Sequence, residues 1–393
     1  MANMANLNAS TNTDAKSNTK TNRIKLASFN LFNYIEPPLA YYDFENIYSA
    51  EQWQKKQGWL ADFLAQHQPD IIGLQEVFSA PALAEQMHAA GYEHVAVVGE
   101  PTVIDDYICR DPVVALASKF PLTEVAAIEA EPEYIHALGL NPNFAYSRKP
   151  LRVTVLLPQI GLCDIYVVHF KSKRPHLDEL PQPKFVQPKF TQAANSASAA
   201  PLVNFGELLG RNSLGLWASS IQRGSEAALL FNTMLQRRIE TNHPMVLMGD
   251  FNEELTSSVL SPLTNREQRF EKEGLGQLAN FPLTDAYKLF LQGLQDLFCV
   301  EAADKNLDDV AVEEELMLAK ARASRAPTHY YGATGNVLDY ILLSADFDPS
   351  FDNSIAEVCD YHTEDRHLVN PSFERDSQSS DHAPVICTIR SRS

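Results

Sequence analysis

Residues 245–252, with the sequence MVLMGDFN, join a short apolar run to an aspartate and an asparagine. Met245–Met248 predicts a short buried strand, whereas Gly249-Asp250 alone would be an ordinary turn dipeptide. Asn252 changes that interpretation, because two polar side chains directly after a buried strand need partners or a ligand. We therefore expect a functional site at this strand end.

The same pattern recurs along the chain. Strands are predicted at 24–29, 70–77, 94–98, 113–118, 151–157, 164–170, 245–248, 338–343 and 384–389, and helices at 51–68, 80–90 and 222–240, which indicates a mixed α/β class. Because burying an unpaired polar group costs several kcal/mol, polar residues at so many strand ends predict one shared site at one edge of packed sheets. The polar strand ends are SFN (28–30), LQE (74–76), VVHF (167–170), LDY (338–340) and SDH (380–382).

The residue types of this set favour a hard divalent cation. Apart from two histidines, His169 and His382, the candidates are oxygen donors and include no thiol. Carboxylate and amide oxygens suit Mg²⁺ or Mn²⁺, whereas structural Zn²⁺ favours cysteine and histidine clusters at short spacing. A hard cation beside carboxylates and histidines indicates metal-assisted phosphoryl hydrolysis. The oxygen donors are Asn30, Glu76, Asp250, Asn252, Asp339 and Asp381.

From about residue 24 to 390 the chain resembles the endonuclease/exonuclease/phosphatase superfamily, the DNase I-like metal-dependent phosphohydrolases. The resemblance implies a four-layer αββα sandwich, in which two mixed β-sheets are flanked by helices. It also implies hydrolysis of phosphodiesters or phosphomonoesters in nucleic acids, inositol phosphates or phospholipids, with Mg²⁺ or Mn²⁺. The matching islands are FN (29–30), LQEV (74–77), HFKS (169–172), GDFN (249–252), LDYILLS (338–344) and SDHAPV (380–385).

The resemblance implies a role for each matched residue. Glu76 is the main metal carboxylate, and Asn30 and Asp381 lie near the same ion. His169 hydrogen-bonds the scissile phosphate. Asn252 contacts the phosphate and orients Asp250.

The resemblance leaves the general base open. Asp250 aligns or deprotonates the attacking water, while His382 is either the base or a stabiliser of the transition state. Asp339 would fix the orientation of His382. Coupled groups of this kind titrate as a set, so the sequence does not divide the roles.

Three residues are weaker candidates for substrate binding: Tyr107, Arg148 and Lys171. Each is open to two interpretations, a phosphate contact or a solvated surface residue. We expect the nine other histidines, including His329, at the surface or in loops. Phe32 stands where AP-endonuclease-like members place an aspartate, and Val113 where a glycine is frequent, so we do not expect repair-type activity.

Composition limits the classes of protein to which the chain can belong. The 393 residues carry a net charge of −18, which disfavours a general polyanion binder. Five widely spaced cysteines without a CxxC pair predict reduced core thiols. We expect no membrane span and, since no signal peptide is evident, a cytoplasmic location, with non-classical export left open.

The chain is expected to form one large domain at 24–393 after a disordered tail at 1–23. Insertions are predicted near 173–221, where the composition is that of a linker, and near 254–327, which is charged and helix-prone. Within the second, residues 301–315 hold seven acidic residues and one lysine. Residues 171–189 hold five basic residues and two acidic ones.

Three functions remain open from the sequence. The first is a nuclease that cleaves DNA or RNA phosphodiesters. The second is a hydrolase of a small or lipid phosphate ester, which the negative charge favours because a long polyanion would be repelled. The third is a non-catalytic module that keeps the fold, against which the complete residue set argues. Substrate, metal number and oligomeric state are not predicted.

Overall fold

The computed structural model describes residues 23–177, 180–181, 205–264, 281–305 and 324–392. The predicted tail, apart from Arg23 at the start of a strand, and large parts of both predicted insertions lie outside these residues. Four described cysteines (109, 163, 359 and 387) are free thiols, three of them buried. No described helix combines the length and apolar character needed to cross a bilayer.

Helices and short strands alternate through the described chain. The helices are α1 (Ala50–His67), α2 (Ala80–Ala89), α3 (Pro132–Ala137), α4 (Phe205–Thr241), α5 (Ala286–Lys305), α6 (Arg366–Val369) and α7 (Phe373–Asp376). The strands are β1 (Arg23–Tyr34), β2 (Ala40–Tyr41), β3 (Ile71–Val77), β4 (His94–Val97), β5 (Thr102–Ile104), β6 (Ile108–Arg110), β7 (Val113–Ser118), β8 (Leu122–Ala127), β9 (Leu151–Leu157), β10 (Gly161–His169), β11 (Met245–Asp250), β12 (Thr284–Asp285), β13 (His329–Tyr331), β14 (Thr334–Asn336), β15 (Asp339–Leu343), β16 (Ala356–Thr363) and β17 (Val385–Ser391).

Two six-stranded sheets form the centre of the molecule. The first has the order β16-β17-β1-β3-β7-β4, and the second has the order β12-β15-β11-β10-β9-β8. Both sheets are mixed, because β1 pairs with β3 in parallel and β10 pairs with β11 in parallel, while their other pairs are antiparallel. Two small sheets, β13-β14 and β2-β6-β5, lie outside them.

The sheets pack face to face because their strands are apolar on both sides. Leu26 and Ile71 of the first sheet share one buried cluster with Val167 and Met248 of the second. The alternate residues of the first sheet, such as Phe29 and Leu74, pack under α1 and α2.

The other outer face is covered in the same way. Val168 and Leu247 of the second sheet pack under α4, where Leu230 and Met234 are fully buried. The order is therefore helix, sheet, sheet, helix, which confirms the four-layer αββα sandwich.

Local sequence explains most element boundaries. Helix α1 begins with a capping box, in which the Ser49 side chain accepts from the Gln52 backbone and Gln52 accepts from the Ser49 backbone. All nine predicted strands are present. The helix predicted at 222–240 begins at Phe205, so part of the segment predicted as linker is helical.

Candidate active site

The two parallel strand pairs bring the predicted site residues together. Asn30 of β1 lies opposite Gln75 of β3, next to Glu76. His169 at the end of β10 lies directly opposite Asp250 at the end of β11. Asp250 in turn lies opposite Asp339 at the start of β15. The carboxyl ends of the central strands therefore meet at one edge, as the sequence predicted.

Two site residues adopt backbone conformations that side chains other than glycine rarely take. Glu76 has φ of 59° at a register shift between β1 and β3, and Asn252 has φ of 53°. Such conformations cost about 1–3 kcal/mol and persist only where neighbouring contacts enforce them. Glu76 accepts a hydrogen bond from the Asn33 backbone N–H at 2.9 Å, and the Asn252 N–H donates to Asp250 Oδ1 at 2.8 Å. The bulge directs the Glu76 carboxylate toward the Asn30 side chain.

Asp250 lies at the centre of the site, where four other side chains approach its carboxylate, and it is 1 % exposed. Its Oδ2 accepts hydrogen bonds from Asn30 Nδ2 at 3.1 Å and from Asn252 Nδ2 at 3.3 Å. The same oxygen lies 3.5 Å from His169 Nε2 and 3.7 Å from His382 Nε2. One carboxylate oxygen is thus shared by side chains from both sheets.

A second carboxylate orients His382. Asp339, fully buried, lies with Oδ2 2.8 Å from His382 Nδ1, which leaves His382 Nε2 facing Asp250. The His382 backbone N–H donates to Ser380 Oγ, and Ser380 Oγ–H donates to the Asn30 carbonyl at 2.6 Å. The SDH segment is therefore anchored directly to β1.

Burial and neighbouring charges together set the proton affinities of these groups. Burial raises the pKa of Asp250 to about 7, and the nearby charge of Asp339 adds to the rise. Burial lowers the pKa of His169 well below its usual range, and the positive charges of Arg148 and His382 act in the same direction. The pKa of His382 is raised despite the opposing effect of burial, because Asp339 and Asp250 stabilise the imidazolium. Asp250 and His382 are thus suited to sharing a proton near neutral pH.

The residues predicted to hold a cation fit that role chemically. Asn30 Nδ2 lies 3.3 Å from Glu76 Oε1, so the two side chains adjoin. Asp381 Oδ1 is buried without a hydrogen-bond partner among the described residues. Burial raises the pKa of Asp381, and the charge of Glu76 contributes, which places the two carboxylates within electrostatic range. An unpartnered oxygen beside a second carboxylate favours a bound cation.

His329 joins this region, although the sequence predicted it at the surface or in a loop. Its ring centroid lies 4.9 Å from that of His382, and its Nε2 lies 4.0 Å from Asp381 Oδ2. Ligand atoms of these three residues lie within 4.8 Å of one another, as do those of Asp250, Asp339 and His382. His329 is brought there by the backbone bridge between residues 329 and 382, for which a single sequence offers no signal.

The three predicted substrate residues occupy different positions. Arg148 is half-buried and lies close enough to His169 to lower the pKa of its imidazole. Lys171 lies two residues after the end of β10, and its backbone N–H donates to Glu226 Oε2 at 2.7 Å. Tyr107 lies between β5 and β6 with 39 % of its surface exposed, and in the described chain no hydrogen bond or ring contact joins its side chain to the site.

Two buried charged residues near the site were missed by the sequence interpretation. Glu226 of α4 accepts backbone hydrogen bonds from Ser147 and Lys171, both at 2.7 Å. Lys56 of α1 is 5 % exposed and affected by the charges of Glu76 and Asp381. Each occupies the buried face of its helix, so a charge on an apolar helical stripe was the available signal.

Comparisons with known proteins agree with this picture. The sequence profile of the Endonuclease/Exonuclease/phosphatase family matches residues 27–382, a range that contains every predicted catalytic and metal residue. A search of curated proteins found no match.

Several solved structures are similar to the chain. The human Nocturnin catalytic domain with bound sulfate anion is 16 % identical, with 95 % of this chain and 96 % of that chain covered and a TM-score of 0.48. An endonuclease/exonuclease/phosphatase from Beutenbergia cavernae DSM 12333 is 15 % identical, with 94 % and 72 % covered and a TM-score of 0.45. An AP endonuclease from Archaeoglobus fulgidus is 12 % identical, with 93 % and 98 % covered and a TM-score of 0.44.

Proposed function

Since the chain belongs to the Endonuclease/Exonuclease/phosphatase family, whose members hydrolyse phosphate esters, we propose that it is a divalent-metal-dependent phosphodiester hydrolase acting as a nuclease. One observation carries the proposal: Asn30, His169 and His382 all lie within 3.1–3.7 Å of a single buried oxygen of Asp250. A carboxylate held so by three polar side chains suits the activation of a water molecule.

Asp250 and His382 together would take the proton of the attacking water. The pKa of Asp250, raised to about 7 by burial, is close to the value at which a base works best at neutral pH. Asp339 keeps His382 Nδ1 engaged, so that the Nε2 edge faces Asp250 and helps to share the proton. Asn252 holds Asp250 in place through its backbone and side-chain N–H groups.

Glu76, Asp381 and Asn30 would hold the cation, which is Mg²⁺ or Mn²⁺. When bound, the ion supplies positive charge that neutralises the phosphate and the developing charge of the transition state. This local charge offsets the net charge of −18, which by itself disfavours a phosphate substrate.

The phosphate would be bound on the side of the second sheet. His169 lies next to Asp250 and has no partner at Nδ1 within the described chain, so its ring is available to the phosphate oxygens. Arg148, whose Nε is buried without a partner there, would add positive charge beside it. Lys171 and Tyr107 are proposed as outer contacts of a longer substrate.

The net charge favours a second candidate function, hydrolysis of a small or lipid phosphate ester. A chain with 50 acidic and 32 basic residues slows association with a long polyanion more than with a small ester. The chemistry at Asp250 would be the same, so only the substrate distinguishes the two candidates.

The proposal is tested by a substrate panel with an isosteric variant. Single-stranded and plasmid DNA, RNA, a bis-aryl phosphate, a mono-aryl phosphate and phosphatidylcholine vesicles are each incubated with Mg²⁺, Mn²⁺ or EDTA. We expect metal-dependent cleavage of nucleic acid, and a kcat at least about 10³-fold lower in Asp250→Asn. The exposed Asp62→Asn of α1 is the matched control and should retain full activity.

The pattern of substrates decides between the candidates. Cleavage confined to the aryl phosphates or to the vesicles would select the alternative function. Full activity of the wild-type enzyme in EDTA, or full activity of Asp250→Asn with the metal present, would contradict the proposed chemistry for every substrate.

A further inference from the structure

The ammonium group of Lys56 is enclosed beside the proposed cation site. Lys56 lies on the buried face of α1, and its Nζ donates to the Ser379 carbonyl at 3.4 Å. The same Nζ lies 5.8 Å from the centroid of the Phe32 ring and 5.6 Å from that of Tyr48. The ammonium therefore lies between Phe32, two residues after Asn30, and Ser379, two residues before Asp381.

Phe32 connects the position of Lys56 to the proposed cation site. Its backbone N–H donates to Asn30 Oδ1, so the turn that carries the ring also fixes the Asn30 side chain. With an aromatic ring at residue 32, two carboxylates, Glu76 and Asp381, provide the negative charge at this end of the site. The aromatic faces of Phe32 and Tyr48 attract the ammonium, which places one positive charge at this end of the site.

We propose that the ammonium of Lys56 serves as a built-in positive charge and restricts the site to one divalent ion. The inference rests on the proposed function, since it assigns the metal number of that same site. Two carboxylates balanced by one ammonium leave enough negative charge to attract one Mg²⁺ or Mn²⁺, and a second ion would be repelled by both cations.

The electrostatics of the described residues agree with this assignment. Burial lowers the pKa of Lys56 to about 8, and the charges of Glu76 and Asp381 oppose that fall. The side chain is therefore mainly protonated at pH 7 in the absence of metal. A buried ammonium held by aromatic rings and one carbonyl costs stability unless nearby carboxylates offset its desolvation.

The test is a Mn²⁺ titration of the full chain at pH 7, with free Mn²⁺ followed by its electron paramagnetic resonance signal. We expect one bound ion per wild-type chain. Lys56→Met should bind Mn²⁺ up to about ten-fold more tightly at pH 7, because a repulsive unit charge is removed, and a lysine with a pKa of about 8 can release its proton for no larger cost. Lys56→Arg, which keeps the charge, should retain the wild-type affinity.

The neighbouring lysine supplies the matched control. Lys55 is on the same helix but is solvent-exposed and pairs with Glu51 at 3.0 Å, so Lys55→Met should bind Mn²⁺ like the wild type. Lys56→Gln replaces the methionine variant if circular dichroism shows that the latter does not fold. Two ions of similar affinity in the wild type, or unchanged affinity in both neutral variants, would overturn the proposal. Absence of any Mn²⁺ binding would instead overturn the metal-dependent function itself.

Discussion

At the scale of single residues, the members of the GDFN segment (249–252) have different roles: Gly249 and Asn252 set the backbone conformation, and Asp250 is the proposed reactive group. Gly249 has φ of 149°, and a Cβ there would lie 2.0 Å from the Val168 carbonyl oxygen. Only glycine fits between β10 and β11 at this point. Its presence lets Asp250 come directly opposite His169, while Asn252 turns the chain back with φ of 53° and caps the Asp250 carboxylate.

Asp339→Asn tests whether the charge of Asp339 orients His382. The amide keeps the size of the side chain but removes the acceptor charge that lies 2.8 Å from His382 Nδ1. We expect kcat on the preferred substrate to fall by about 10²–10⁴-fold, with KM changed less than about three-fold. Steady-state kinetics at pH 7 measure both constants.

A partly buried carboxylate outside the site controls for nonspecific damage. Asp346 lies seven residues further along and pairs with Arg238 at 2.8 Å, so Asp346→Asn should lower stability while kcat stays near the wild-type value. If Asp339→Asn kept kcat within three-fold of the wild type, an orienting role for Asp339 would be wrong.

The residues that the sequence could and could not predict differ in a physical way. Asn30, His169 and Asp250 were predicted to lie together because each interrupts an apolar strand, and strand ends meet at a sheet edge. Glu226 bonds backbone groups 55 and 79 residues away, and such partners leave no local pattern. His329 was missed for the same reason, since its neighbour His382 is 53 residues further along the chain.

At the scale of elements, helix α4 supports the proposed substrate side of the site through Glu226. Both Glu226 oxygens accept backbone N–H groups, from Ser147 before Arg148 and from Lys171 after His169. The buried Arg223, one turn earlier, donates to the Lys171 carbonyl at 3.0 Å and pairs with Glu253 at 2.8 Å. The two segments that carry Arg148 and His169 are thus held by one helix.

Glu226→Gln is expected to loosen those two segments. The amide nitrogen would face a backbone N–H in place of an acceptor oxygen, leaving one buried donor unpaired at a cost of about 1–3 kcal/mol. Because Arg148 and Lys171 are proposed to bind substrate, KM should rise by about ten-fold, while kcat falls less than about three-fold. Michaelis–Menten kinetics on the preferred substrate separate the two effects.

Glu240→Gln, at the exposed end of the same helix, is the matched control and should leave both constants unchanged. A Glu226→Gln enzyme with wild-type KM would show that α4 does not position the substrate contacts.

Element boundaries were predictable where burial sets a clear pattern. The central strands are almost wholly buried, and their apolar runs predicted them. The edge strands β8 and β16 were not predicted because half or more of their residues are at least partly exposed, which weakens the apolar signal. The N-terminal half of α4 was assigned to a linker because it follows PQPKFVQPKF (181–190) and AANSASAAP (193–201), which have the composition of a linker, although it packs against Pro175 and Leu177 at Gly215.

At the scale of the whole molecule, the site is the place where the two sheets are tied together. Asn30 and His382 belong to the first-sheet side, and Asp250 and Asp339 belong to the second, so each bond between them crosses the sandwich. Further back the facing sides of the two sheets pack through apolar side chains, as where a Cβ on Gly73 would lie 2.8 Å from Met248 Sδ. Polar residues at strand ends are visible in the sequence, so the shared site could be predicted from them. Apolar packing between two sheets leaves no such pattern, so the four-layer order was predicted from the family resemblance.

A histidine cluster at the end of α1 makes the stability of the fold depend on pH. His67 Nε2 and His362 Nε2 lie 3.3 and 3.2 Å from the same oxygen of Glu364, which joins α1 to the end of β16. The hydrogen bond to Glu364 raises the pKa of His362 above its ordinary value of 6.5. Hydrogen bonds from His362 and His67 lower the pKa of Glu364 below its ordinary value of 4.5.

Glu364→Gln should therefore destabilise the protein most between pH 4.5 and 6.5. Glu364 contributes stability above pH 4.5, which is lost as the pH falls through its folded pKa, and His362 contributes below pH 6.5, which is lost as the pH rises through its own. We expect the Tm difference from the wild type to be on the order of 2 °C at pH 5.5 and clearly smaller at pH 8. Glu357→Gln breaks a pair with Arg390 across the same two strands, so its Tm difference should be equal at both pH values. A Glu364→Gln difference that is as large at pH 8 as at pH 5.5 would mean that the carboxylate stabilises the fold without the positive charge of His362, whose contribution is lost as the pH rises through its folded pKa.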